Sequence, residues 1–246
     1  MGGVLLILFF GVALISELIG TIGGFGSATI FTAFGALLLN LKTVIALAAF
    51  LHLSGALVRG IYFFRHINWG IFGWFMLTDV LFTVVGASVI AYIPDPVARG
   101  VFGSFLIIYG LVVIFSNQKI SLSPKKIFLF VGGAVSGFLA GLLGTGGAAR
   151  SAALQIFKLP KASYLGTSAA MAVVTDILRI PIYLASGLLV FTEANLWLAG
   201  GLVAIAVVGA FAGSRLAEKI PERGFRIAVH ILLLAVGVYF LVNSLS

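Results

Sequence analysis

The sequence predicts an all-α polytopic membrane protein made of two inverted-topology repeats. Each repeat is a glycine-broken re-entrant helical hairpin followed by three transmembrane helices. Three observations predict this: a composition too apolar for a water-facing surface, an internal repeat, and an uneven distribution of basic residues. Of the 246 residues, 61% are hydrophobic and only 9% charged, against about 45–50% and about 25% in soluble domains. Mean hydropathy is +1.23. Apolar runs of bilayer-spanning length recur throughout, as at Val44–Phe64, Ile71–Ile93 and Leu196–Leu216.

The repeat emerges from ordered matches. "VVGA" stands at Val84–Ala87 and again at Val207–Ala210, and "IP" at Ile93–Pro94 and Ile220–Pro221. Beyond the second pair the halves align without a gap at a spacing of 127, with Arg99 on Arg226 and Gly110 on Gly237. Two glycine-rich breaks, "GTIGGFGSAT" (20–29) and "GLLGTGGAARSA" (141–152), align near a spacing of 123, placing Gly23 and Gly24 on Gly146 and Gly147. Several features in one order are a stronger signal than any single match in apolar sequence.

The elements follow in order. The first repeat, 1–117, holds a hairpin over 3–41 broken at 20–26, then helices over 43–64, 70–93 and 97–116. A polar linker occupies 118–126. The second repeat, 127–246, holds a hairpin over 127–159 broken at 141–147, then helices over 162–190, 195–216 and 223–245. Each broken segment either crosses once or turns back, and the positive-inside rule chooses between these. A single crossing divides the basic residues four against eight. A hairpin gathers Arg65, the three linker lysines, Lys158, Lys161 and the four in 215–226 on one side, leaving only Lys42 and Arg99 opposite. Ten against two is the stronger asymmetry, so the hairpin is preferred. Each half then makes an odd number of crossings, which inverts the second relative to the first. Both termini are expected on the non-cytoplasmic side of a cell (inner) membrane.

Other classes are disfavoured. No Lys or Arg precedes Lys42, so a cleaved signal peptide is not expected. A β-barrel would alternate over about ten residues per strand. The net charge of +8 lies in short loops where topology explains it, so no nucleic-acid partner is expected. Zero cysteines and three scattered histidines, 52, 66 and 230, leave no thiolate or clustered metal site, and no cofactor is expected.

The stretch "GLLGTGGAARSAALQIFKLPKASYLGTSAAMAVV" (141–174) resembles the TauE/SafE family of membrane transporters. That family looks like two related halves, each opening on a glycine-rich segment, with Pro160, Lys161, Ala162, Thr167 and Ser168 falling where its pattern has them. The family often carries a proline just after each glycine cluster, and Ser27–Thr29 and Arg150–Ala153 contain none. The resemblance covers nearly the whole chain. It implies export of sulfite, sulfonates or related small anions.

Candidate site residues concentrate at the breaks. Interrupted helices at matching positions commonly form the midplane site of inverted-repeat transporters. The second break offers Thr145, Gly146, Gly147, Arg150 and Ser151, with Arg150 in the first turn of a half-helix whose free N–H groups favour anions. A guanidinium there could bind an oxyanion through paired hydrogen bonds. The alternative is a structural lock onto Asp176, Asp79 or Glu17. The first break offers Thr21, Gly23, Gly24 and Ser27, without charge. Thr167 and Ser168 could contact substrate or cap and pack. Arg179, three residues from Asp176, could be a second anion ligand or an intrahelical pair. Glu17, His52, Asp79 and Asp176 are candidates for coupling to protons, each with an ordinary structural alternative. Arg59 is expected to snorkel to the membrane surface. The resulting expectation is a non-enzymatic secondary transporter in the lipid bilayer that exports a small oxyanion such as sulfite or an organosulfonate, by alternating access with a midplane site between the two broken hairpins. A homodimer is compatible with it. An anion channel and a membrane assembly factor are the alternatives.

Overall fold

In the computed structural model, which describes residues 2–23, 26–115, 123–190, 192–216 and 222–244 (side chains of 222–228 excepted), all regular structure is helical. The helices are α1 (Gly3–Gly23), α2 (Ser27–Gly35), α3 (Leu41–Tyr62), α4 (Trp69–Val89), α5 (Asp95–Phe115), α6 (Lys126–Leu143), α7 (Gly147–Gln155), α8 (Lys161–Ala185), α9 (Glu193–Leu216) and α10 (Glu222–Val242). Among the described residues, seven helices are long and apolar enough to cross a membrane. The chain is an all-helical, multi-pass membrane protein. Outward-facing leucine, valine, phenylalanine and tryptophan are abundant, as a lipid-facing surface requires.

Both glycine-rich breaks reverse the chain. The Phe9 and Phe31 rings meet edge to face at 5.2 Å between centroids, and Gly20 lies against Ser27, so α2 runs back along α1. Gly132 lies against Ala153 and Gly146 against Ser136, so α7 runs back along α6. With 21 residues, α1 measures about 31 Å, the length of a full span. The nine residues of α2 return the chain by less than half of that. The first hairpin therefore has one span-length arm and one short arm.

The second reversal rests on a left-handed glycine. Gly144 has φ 73° and ψ 9°; its N–H bonds to the Ala140 carbonyl at 3.0 Å and that of Thr145 to Leu139 at 3.2 Å. This closes α6 and frees the chain to turn. The first reversal ends at Gly26, with φ 101°, a conformation that a side chain would strain.

Packing pairs α4 with α6 and α1 with α9, α3 with α9 and α8 with α4, α3 with α8, and α5 with α10. Exchanging α1–α5 for α6–α10 maps this set of pairings onto itself. The corresponding helices α5 and α10 run antiparallel, since Gly103 meets Gly237 while Gly110 meets His230. α3 and α8 also run antiparallel: His52 meets Asp176 and Phe63 meets Gly166. At one end of the bundle Lys42 lies 3.4 Å from Asp95, and Gly100 lies against Ser244. At the other, Asn68 N–H donates to Thr167 Oγ1 at 2.9 Å and Lys126 sits over Trp74 at 4.2 Å.

Hydrophobic burial drives no association between helices in lipid, so close contact rests on small residues. Gly133, Gly137 and Gly141 form a small-residue face at i, i+4, i+8 on α6, against the α4 backbone at Phe75, Asp79, Thr83 and Gly86. A Cβ at position 137 would overlap the Asp79 carbonyl. We therefore expect Gly137→Leu to separate α4 from α6. Its signature is loss of the monodisperse species in size-exclusion chromatography of detergent-purified protein. Unchanged elution and thermal stability would contradict the packing described.

Candidate functional site

The two breaks meet. Thr29 and Thr145 share a hydrogen bond between their hydroxyls, a Cβ on Gly26 would stand 3.4 Å from Gly147 Cα, and Gly144 faces Thr32. The starts of α2 and α7 thus lie side by side inside the bundle, between α3 and α8. Thr21, Ser27, Thr29, Thr32 and Thr145 are all buried. Gly24 lies outside the described residues. Gly23 is the last residue of α1.

Beside this junction is a small cavity lined by Gly20, Thr21, Gly26, His52, Arg59, Gly147, Arg150, Leu165, Ser168, Ala169 and Ala172. It encloses about 20 Å³, little more than one water requires. Three of its side chains, Arg59, Arg150 and His52, are cationic or become so on protonation. The short helix α7 aims its N-terminus at the same space through Gly147, adding the positive end of a helix dipole.

Arg150 is 2% exposed. Its Nη1 donates to the Ser168 carbonyl at 3.2 Å, its Nε has no hydrogen-bond partner, and no carboxylate among the described residues lies within ion-pair distance. The structural lock onto Glu17, Asp79 or Asp176 is thus not made. Each of those carboxylates has other partners. Glu17 Oε1 accepts from Arg59 Nη1 and from Thr21 at 3.3 Å. Asp176 accepts from Arg179 Nε at 2.7 Å and meets His52 Nδ1 at 2.8 Å. Asp79 accepts from Thr175 at 2.7 Å and from Thr83 at 3.4 Å.

Arg59 corrects the expectation that it snorkels. It is only 8% exposed, bound to Glu17 and to Thr21 Oγ1 at 2.7 Å, and it lines the cavity. The physical reason is Glu17: a carboxylate buried one helix away is a stronger partner than a distant membrane surface. A regularity marks the position. Arg59 binds α1 at Glu17, while Arg179 donates to the α6 carbonyl of Ala140 at 2.9 Å. The two arginines are 120 residues apart and their partners 123. Aligning the halves on their loops sets Arg59 on Leu178, one residue short of Arg179, and hides the match.

The other sequence candidates divide. Thr21, Gly147, Arg150, Ser168 and His52 line the cavity. Thr145 and Ser27 lie in the junction, and Ser27 Oγ has no partner. Gly146 packs on Ser136, and Ser151 accepts from Tyr164 at 2.8 Å. Thr167 caps the start of α4 through Asn68. Arg179 does not reach the cavity: Asp176 and Ala140 occupy it, and it lies 6.0 Å from the Tyr183 ring.

The family model described as Sulfite exporter TauE/SafE matches residues 8–240, nearly the whole chain. The chain belongs to the sulfite exporter TauE/SafE family. Comparison with curated proteins and with solved structures gives no significant match. Membership in TauE/SafE makes this chain one of a family of membrane transporters, whose name points to export of sulfite or a related anion. In this TauE/SafE chain the glycine-rich breaks carry the paired tips, and Arg150 stands immediately after the second.

Proposed function

We propose that the protein is a secondary transporter, an exporter of a small oxyanion such as sulfite or an organosulfonate, working by alternating access between the two broken hairpins. One observation carries this reading: Arg59, Arg150 and His52 converge with the N-terminus of α7 on a single buried cavity where the two tips meet. A buried guanidinium without a counter-ion is costly, and inside a membrane such residues generally serve a substrate or ion path. An oxyanion between Arg150 and Arg59 supplies the missing charge and accepts from the free Nε. Antiparallel pairing of α3 with α8 and of α5 with α10, together with the exchangeable helix contacts, supports an inverted repeat. That geometry suits rocking of one half against the other about a central site. The cavity has room for about 20 Å³, too little for an oxyanion, so loading requires the tips to part.

On this reading the chain resides in the inner membrane, and the end carrying Lys42 and Asp95 is non-cytoplasmic, as are both termini. An ion gradient drives transport. No enzymatic step is needed, and no cofactor enters.

A thermal-shift panel of small anions on purified protein tests the site. Sulfite, methanesulfonate or both should raise the melting temperature of the wild type. Arg150→Ala removes charged hydrogen bonds worth about 1.5–3 kcal/mol, weakening binding roughly ten- to hundred-fold, so stabilisation should vanish at the same concentrations. Equal stabilisation of both proteins would reject Arg150 as a ligand.

A further inference from the structure

The four carboxylate- and imidazole-bearing positions expected to couple transport to protons are not equivalent once their partners are known. Glu17 is held by Arg59. Asp176 is held by Arg179 and His52. Asp79 has no cation within ion-pair distance among the described residues, though it is fully buried. Among the described residues its side-chain hydrogen-bonding neighbours are hydroxyls: Thr83 on its own helix, Thr175 on α8 and Ser136 on α6. Asp79 Oδ1 and Ser136 Oγ both lack a hydrogen-bond partner.

An isolated carboxylate buried among neutral groups strongly favours taking up a proton. Protonation suits this pair of atoms, because Oδ1–H becomes a donor with Ser136 Oγ as the neighbouring acceptor. Asp79 is not among the residues lining the cavity described above, and a proton, unlike a sodium ion with its shell of oxygens, needs no cavity of its own. The nearest free charge is that of Arg150 on α7, a helix whose start at Gly146 packs on Ser136 while the next α6 residue, Gly137, packs on Asp79. From α8, beyond Thr175, the charged groups are Asp176 and Arg179, which neutralise each other.

We propose that Asp79 is the proton-binding site of this transporter and that Arg150 couples it to the anion. This rests on the oxyanion reading of the cavity. An empty site leaves the Arg150 charge free to stabilise the Asp79 carboxylate. An anion bound to Arg150 cancels that charge, and Asp79 takes a proton from the aqueous phase. Coupling is reciprocal, so a proton on Asp79 tightens anion binding, and anion affinity rises as pH falls. The proton taken up by Asp79 offsets the charge that a singly charged anion brings into the site.

The test is infrared difference spectroscopy of the purified full chain, with and without sulfite and with and without methanesulfonate, alongside thermal shift on the same samples. Binding should add the carbonyl stretch of a protonated carboxyl in the wild type and not in Asp79→Asn, which keeps the side-chain shape. Thermal stabilisation without that band, or the band persisting in Asp79→Asn, overturns the proposal while leaving the anion site intact. No stabilisation by either anion overturns both. Should Asp79→Asn fail to fold, the wild type alone decides: anion affinity that does not strengthen between alkaline and acidic buffer rejects the coupling.

Discussion

Oxidation of a Thr29→Cys/Thr145→Cys variant should abolish anion flux in proteoliposomes, and reductant should restore it. The two hydroxyls are in direct contact across the junction, so cysteines there meet within the reach of a disulfide. The natural chain has no cysteine, so any cross-link formed reports this pair alone. The effect is expected to be nearly complete. The cavity beside the junction is small, about 20 Å³, and alternating access requires α2 and α7 to separate on at least one side. A variant that cross-links fully yet transports at the wild-type rate would show that the tips move as one body.

The second large effect is on stability. Asp176 is 1% exposed and serves Arg179 and His52 together. Asp176→Ala leaves a fully buried guanidinium without a carboxylate, beside the Ala140 carbonyl and Tyr183, and leaves His52 without its partner. Breaking a buried ion pair from one side costs about 3–5 kcal/mol. At roughly 2–4 °C per kcal/mol for a chain of this size, the melting temperature should fall by about 6–20 °C. Asp176→Asn should fall less, because its amide oxygen still accepts from Arg179. A fall of no more than about 2 °C in Asp176→Ala would mean that water or a rearranged neighbour replaces the carboxylate. Since Arg179 is withheld from the cavity by this pair, the measurement also separates its structural role from the ligand role that its sequence position allowed.

Much of the architecture was legible because membrane composition, glycine and charge act locally. The reversals at 23–27 and 143–147 followed from glycine clusters inside apolar runs, and Arg150 stood out as a cation just after a helix start. Lys42 and Arg99 were set apart from the other basic residues by loop charge, and the structure places both near Asp95 at one end. What remained hidden was pairwise and long-range. Nothing local to Glu17 specifies Arg59, 42 residues away, and an arginine a turn from the end of an apolar run reads as a snorkelling one. His52 and Asp176 are 124 residues apart, so their contact depends on α3 and α8 running antiparallel. The exact end of α1 was hidden for a different reason: Thr21 and Ile22 remain helical, so the helix runs to Gly23 and not only to the first glycine of the break.

The central claim is that the two tips form one anion-transport site centred on Arg150. Sulfite flux into proteoliposomes, compared between the wild type and Arg150→Ala, tests it most directly. The account predicts saturable flux in the wild type and its loss in a variant that elutes as folded protein. Undiminished flux through Arg150→Ala, or a linear conductance far above carrier turnover, would contradict it.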